Sequence, residues 1–545
     1  MAVNVETDIE VFDAMVPERS TIDNKWQEIR DTMQPDDASF IGENTPGSTN
    51  RSGNLDSTAE NAGEITGSAF HNSLSNPSTR WYDIAGIVGQ ENLDDDERLW
   101  LMDATSDSLS MFESGDSNFS DSQQIKYRNT IFYGMAATFM EEKFGVGVFF
   151  HSIPLREIYV NEGSDGQVNE VWRPFELTAA QAVEKFKRPG DKPGELVVKA
   201  ADDATKRQEK TRFLHITRPR LSIPDGIGPL TMPFESVYIN VDEKTLVRES
   251  GFPEWPWSVP RLRKRAGEKY GRGRGHVVLP DVRMANRIVG ATIESLEKNV
   301  DPSLQLPDDG VMGIPSLARG GLTYVRSDLF RHGDPIRKIH AGGETNMGID
   351  YTIRLDKKIE DGFWNNLLSI SDDPRMSATQ VITLDEKSQN ILGPVIGSFE
   401  VSDLDPMVNR VLGIGIRSGR VRPPPESLSE KPLKIIYTSP LARRRRSGEV
   451  AAIGRTFELV VPMAQINPKV WDNFDFDETT RIIASVEGLP PGVLKPLDEV
   501  LKKRATDDAA AAQSQNLEDA ATIAQAAGAA APALEVIQGG QSEAS

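Results

Sequence analysis

Residues 248–307 constrain this chain more than any other stretch. They read RESGFPEWPWSVPRLRKRAGEKYGRGRGHVVLPDVRMANRIVGATIESLEKNVDPSLQLP. Three pieces follow one another without a gap. Phe252, Pro253, Trp255, Pro256, Trp257 and Pro260 form an entry that proline keeps extended, because each ring fixes φ and removes a donor. Arg261, Arg263, Lys264 and Arg265 then lead into a turn punctuated by Gly271, Gly273 and Gly275. Last comes a helix. Pro280 suits its first position, and Asp281 sits where the helix dipole favours an anion. Val282, Ala285, Val289, Ile293, Leu296 and Val300 are spaced by three and four, which makes one apolar stripe, and Asp301–Pro302 ends it.

A chain of 545 residues is too long for one core and is expected to form several domains. Its 38% hydrophobic and 26% charged residues suit a soluble globular protein. No apolar run reaches bilayer length, and the acidic start MAVNVETDIEVFDAM lacks the basic region of a secretory signal. With no cysteine, disulfides and thiolate metal sites are excluded. The net charge of −21 argues against a broad DNA grip or a sequence-specific regulator, since affinity for DNA comes mostly from neutralising phosphates. It is compatible with a conduit along which DNA slides.

Along the chain, Ile22, Trp26, Ile29 and Met33 mark a short helix ending at Pro35, and Asp36–Thr58 reads as a loop. Helices are expected over Ala59–Leu74, from the carboxylates Asp94–Glu97 onward, and from Phe119 through Ile125, Ile131, Met135 and Met140. Strands are expected at 146–150, 157–160, 168–173, 213–218 and 236–240. A helix over 175–186 has Thr178 as its N-cap. Helix and strand alternate without a βαβ rhythm, so the fold class is α+β. Asp301–Asn346 is turn-rich, with short strands at 322–326 and 336–339. A second amphipathic helix carries Ile349, Ile353, Ile359, Phe363 and Leu367 and breaks at Ser371–Met376. Ser377 can cap a further helix, in which Pro394 demands a kink. Arg420–Pro425 is an extended link, and 435–438 a strand. From Ala505 onward the chain is rich in Ala and Gln, and a frayed tail is expected.

No catalytic set emerges. The six histidines show no metal spacing, and Glu141–Glu142, taken as helical neighbours, do not converge as an acid/base pair. Gly42 to Thr49 imitates the spacing of a phosphate loop, but Ser48 stands where the lysine is needed. Gly271, Gly273 and Gly275 read either as a hinge or, with Arg272 and Arg274, as a phosphate cradle. Arg443, Arg444, Arg445 and Arg446 read either as a basic contact patch for DNA or an acidic partner, or as a solvated helix start. No cofactor and no metal is expected.

The blocks Arg248-Glu249-Ser250-Gly251-Phe252, Val259-Pro260-Arg261, Gly267-Glu268, Tyr270-Gly271-Arg272-Gly273, Leu279-Pro280-Asp281 and Asn286 closely resemble the head-to-tail connector, or portal, proteins of short-tailed, podovirus-type bacteriophages. Asn118-Phe119, Glu157-Ile158-Tyr159, Met376-Ser377-Ala378-Thr379-Gln380-Val381 and Tyr437-Thr438-Ser439-Pro440-Leu441-Ala442 extend the likeness from about Trp26 to Arg504. The resemblance implies a multi-domain portal fold. Its parts would be an N-terminal α+β wing (1–247), a link (248–278), a first stem helix (279–300), a clip (301–346) and a second stem helix (347–370). A tunnel loop (371–377), a long wing helix and strand (378–440), a helical crown (441–504) and the tail (505–545) would follow. It implies a dodecameric ring at the capsid vertex of the virion, assembled in the host bacterial cytoplasm. Double-stranded DNA would pass through non-specifically during packaging and ejection. Partners would be the terminase large subunit, tail adaptor proteins, and scaffolding and major capsid proteins, with no membrane and no enzymatic activity. Lys357, Lys358 and Arg375 are the expected DNA-channel contacts. A packaging ATPase and a tail-adaptor ring are the alternative readings.

Overall fold

A computed structural model describes residues 3–42, 45, 47, 54–86, 95–143, 145, 147–224, 226, 228–300, 304–305, 337–338, 345–368, 391–429, 433–487, 500, 502–504 and 506. The chain divides into two compact units, the larger built from 1–83, 103–423 and 439–445. The fold is α+β.

The larger unit begins with α1 (Val5–Met33), which starts where the Asn4 side chain accepts from the Thr7 amide at 3.4 Å. The short helix expected around Trp26 is therefore the end of one of 29 residues, continuing through Pro17. The expectation failed because the N-terminal half is stabilised by burial on a sheet and carries no strong helical signature of its own. After α2 (Thr58–Leu74) the chain passes through β1 (Tyr82–Gly86) and α3 (Asp95–Glu113), whose residues 84–102 count with the second unit, and returns with α4 (Phe119–Tyr133), β2 (Ala137–Lys143) and β3 (Gly147–Ile153). Helix α4 stops at Gly134, whose φ of 91° is open to glycine. Met140 accordingly lies in a strand, and Glu141 and Glu142 are strand neighbours on opposite faces.

Next come β4 (Tyr159–Glu162), β5 (Val168–Thr178), α5 (Ala179–Lys185), α6 (Glu195–Asp202), β6 (Lys210–Pro219), β7 (Phe234–Asn240) and β8 (Thr245–Phe252). Thr178 caps α5 as expected and Gln181 completes a capping box, but Phe175–Leu177 belong to β5. Five strands make one antiparallel sheet in the order β4-β5-β6-β7-β8. The block Arg248–Phe252 is thus part of the outer strand of a sheet. Alternation gives this sheet two apolar faces. Trp172, Leu214, Ile216, Val237 and Ile239 pack beneath Ile9, Phe12 and Met15 of α1. Phe175, Phe213 and Tyr238 pack against Ala182, Phe186 and Val197 of α5 and α6. A smaller sheet, β3-β2-β9, is completed by β9 (Trp257–Ser258).

Helix α7 (Arg274–Val300) starts six residues before the expected Pro280. Burial of Gly275, Val278 and Leu279 in the main core outweighs the hydrogen bond that proline removes. The His276 ring, three residues past Gly273, accepts its backbone N–H at 3.2 Å and serves as the start signal. Residues Leu304–Gln305 (β10) pair antiparallel with Arg337–Lys338 (β11). The strand expected at 322–326 lies outside the described residues. Helix α8 (Thr345–Gly362) ends sooner than the apolar stripe suggested, because Trp364 takes a φ of 70°. A short α9 (Asn365–Leu368) follows. The break at 371–376 and Ser377 lie outside the described residues. Residues 391–399 are helical (α10) and include Pro394, and a π-helical turn, Glu400–Leu404, leads into α11 (Asp405–Arg417). The main core gathers Trp26 and Ile29 from α1, Phe70 from α2, Ile131 and Phe132 from α4, Val278 and Val282 from α7, Ile359 from α8, and Ile396 and Phe399 from α10.

The second unit contains the turn of helix α12 (Glu426–Ser429), β12 (Leu433–Tyr437), most of α13 (Pro440–Ile466) and α14 (Phe476–Glu487). β12 pairs with β1. Phe457, Trp471, Phe474 and Phe476 form an aromatic cluster with ring centroids 5.5–6.1 Å apart. Beyond Arg504 only Thr506 is described, so the expected tail lies outside the described residues.

Candidate functional site

The site is the antiparallel pair α7–α8 and the junction that holds its base. Gly271, Gly273 and Gly275 are required there for close approach, not for a left-handed turn. A methyl group on Gly271 would fall 2.1 Å from the Gly134 carbonyl oxygen, and on Gly273 2.4 Å from that of Phe132. Gly134 faces them with φ of 91°, and its own added carbon would lie 2.2 Å from Arg272. The glycine segment is thus pressed backbone to backbone against the end of α4. Neither arginine beside it is left open to a phosphate. Arg272 holds Glu268 at 2.7 Å, and Arg274 donates to the Gly362 carbonyl at 2.6 Å while lying 4.5 Å from the Trp364 ring centre.

From that base the two helices run past each other. Gly362 meets Val278, Lys358 pairs with Asp281 at 2.6 Å, the Tyr351 hydroxyl reaches Met284, and Gly348 meets Thr292. The small residues let the backbones approach. Near the base the facing side chains Val282, Ala285, Leu355 and Ile359 are buried. Toward the far end nothing among the described residues covers the apolar stripe. Ile353 is 61% exposed, Met347 69% and Val300 85%. The helices are about 40 and 27 Å long at 1.5 Å per residue.

Of the expected DNA contacts, Lys357 is exposed and has no ion pair among the described residues, whereas Lys358 is tied to Asp281. Arg375 lies outside the described residues. Arg443, Arg444, Arg445 and Arg446 fall within α13, but their side chains are outside those described. The phosphate-loop-like segment 42–49 is largely outside the described residues too. Among the described residues no cluster of His, Asp or Glu could hold a metal ion, and no helix is long and apolar enough to cross a membrane.

Sequence reasoning missed a buried polar cluster beside this site. Asp403, on the π-helical turn, accepts from both Lys126 of α4 and Ser258 of β9, and all three side chains are fully buried. Burial pulls the Lys126 pKa down, and the Asp403 charge opposes that shift. No sequence spacing links residues 126, 258 and 403. Asp405–Pro406 starts α11 directly after the π-helical turn, and carries no sign of the buried pairing. Nearby, Arg410 pairs with Glu254 at 2.7 Å.

Comparison with known proteins agrees with this geometry. The model of the family described as bacteriophage head to tail connecting protein matches residues 6–494. The "Probable portal protein" of Bordetella phage BPP-1 is 26% identical over 513 residues, covering 92% of this chain and 91% of that protein. The "Portal protein" of Salmonella phage epsilon15 is 23% identical over 516 residues, with 92% and 91% coverage. With a family match running through both units and through the glycine junction and helix pair, this chain belongs to the bacteriophage head-to-tail connector, or portal, protein family.

Proposed function

We propose that copies of this chain close into a ring around a DNA channel at one capsid vertex, with α7 and α8 as its stem. Portal proteins form oligomeric rings at the phage head–tail junction. The observation that carries the stem reading is the open apolar side of the helix pair, with Val300, Met347 and Ile353 exposed in the single chain. An exposed apolar face of this kind is stabilised by covering, and a ring of identical chains supplies a cover at every copy.

The finer map follows from the same reading. Residues 301–346 would be the clip, where the terminase large subunit and then tail adaptors dock, and 441–504 the crown. The glycine junction would be the pivot between wing and stem, and twelve copies would complete the ring. Scaffolding and major capsid proteins would meet its outer side. Lys357, repeated by symmetry, would form a ring of positive charge, and Arg375 would add a second from the tunnel loop. Portal proteins are a structural class, and no catalytic role is assigned to this chain.

Negative-stain electron microscopy of the purified chain tests the proposal. Closed rings with twelvefold class averages and an open axial channel wide enough for a duplex are expected. Monomers or twofold dimers under all assembly conditions would overturn it.

A further inference from the structure

The five-stranded sheet carries two unlike surfaces on its opposite sides. On one side β7 and β8, with the β2–β3 hairpin and the end of α11, enclose a cavity of about 790 Å³. Ser236 and Tyr238 point into it, and its apolar lining includes Phe139, Met232, Phe252 and Pro253. Its cations are Lys143, Arg188, Arg248, Arg410, Arg417 and Arg420, against the carboxylates Glu141 and Glu142. That balance is positive in a chain whose net charge is −21. Part of it is neutralised, since Arg410 and Arg417 both hold Glu254, Arg417 also holds Glu142, and Arg248 holds Asp191. Arg188 is exposed with no ion pair among the described residues, and Arg420 donates only to the Gly145 carbonyl, at 3.1 Å. Arg410 is 2% exposed, and its Nε has no hydrogen-bond partner. Arg410 therefore lends its charge from beneath the floor, and Arg188 and Arg420 are the cations open to an incoming carboxylate.

The other side of the sheet is covered by α1. The inner residues Ile9, Phe12 and Met15 pack on Val237 and Ile239, which alternate along β7 with the cavity residues Ser236 and Tyr238. The outer face of α1 carries Glu6, Glu10 and Asp13, spaced by four and three, all exposed and without ion pairs among the described residues. Val11 and Val16 are exposed beside them. An acidic and apolar ridge thus backs a cationic and apolar hollow across one sheet. In a cyclic assembly each subunit contact joins unlike surfaces, so one such surface of each copy can meet the other surface of the next.

We propose that the Arg188–Arg410–Arg420 cavity receives the outer face of helix α1 from a second copy of this chain, with Glu6, Glu10 and Asp13 meeting its arginines. This rests on the ring reading above and names one of its contacts. Glu141 and Glu142 in the lining hinder an acidic peptide less than a duplex, whose dense phosphates they would repel.

The chain lacks cysteine, which makes cross-linking clean. A chain carrying Glu10→Cys with Arg420→Cys, treated with a short bismaleimide, should give a ladder of covalent multimers on a denaturing gel. Because the two positions belong to opposite sides of the sheet, a link within one chain would not produce the ladder. In parallel, Arg188→Glu/Arg420→Glu and Glu10→Lys/Asp13→Lys should each raise the concentration needed for ring assembly by at least about tenfold at low salt. The four changes combined in one chain should restore assembly. Thermal unfolding of each variant checks folding, and all four positions are exposed. Absence of the ladder while the unmodified chain closes rings overturns this contact and leaves the ring reading intact. Rings that form normally from the arginine variant, with packaging lost in infected cells, would assign the cavity to another acidic protein and equally overturn it. A chain that never assembles removes both readings.

Discussion

Lys126, Ser258 and Asp403 come from three distant parts of the chain, and their buried contacts tie α4, β9 and the π-helical turn together. Leaving either charge alone in the core should cost about 3–5 kcal/mol, while replacing both by apolar residues of similar size should cost far less. Chemical denaturation of Asp403→Ala and of the Lys126→Met/Asp403→Leu double variant would show this as a large loss and a substantial recovery. Trp26 is a second anchor, fully buried with its indole donating to the Tyr133 carbonyl at 2.9 Å. Its replacement by alanine should cost about 3–5 kcal/mol in the same assay. Three histidines set the response to acid. Burial lowers the pKa of His71 and His276 to about 4, and holds that of His215 well below its usual value. Such a group takes up its proton more readily in the unfolded chain. Its stabilisation is therefore complete above the unfolded value of about 6.5 and is lost as the pH falls toward 4. The melting temperature should decline through that window, and His71→Gln/His276→Gln should flatten the decline.

At the scale of elements, the junction between α4 and α7 is the most demanding part of the fold. Gly273→Ala places a methyl group within 2.5 Å of backbone atoms of Ile131, Phe132 and Gly134, none of which can swing away. A loss of at least about 1–3 kcal/mol is expected by thermal unfolding. Gly454→Ala is the control, since nothing lies near its added carbon. This junction also marks where sequence reasoning stopped short. The glycines were legible as special, and the α+β class, the Thr178 cap and the amphipathic stripes of α7 and α8 followed from local pattern. Pro280 read as a helix start because proline favours that place, yet packing of Val278 and Leu279 carries the helix back to Arg274. Met140 read as helical because the turn at Gly134 depends on a left-handed φ that the preceding residues do not announce. The cavity arginines were illegible for a simpler reason. They lie just after α5, on β8, and in and just after α11, and only the fold brings them together.

For the whole molecule, the open apolar side of α7–α8 should matter only to assembly. Ile353→Lys changes a residue that is 61% exposed, so the monomer should melt within about 0.5 kcal/mol of the unmodified chain. Sedimentation velocity should nevertheless show the ring species depleted. Lys357→Glu should leave both folding and ring formation unchanged and alter the retention of packaged DNA, read as the fraction of filled heads. A different consequence follows from the small ladder of Leu304–Gln305 with Arg337–Lys338. It brings the two ends of the intervening segment to one strand spacing, about 4.8 Å, just beyond the tip of α7. Doubling the length of chain between those ends adds only about 0.6 kcal/mol of closure entropy. An affinity tag or a foreign loop spliced between 306 and 336 should therefore leave the thermal unfolding of the helices below it unchanged.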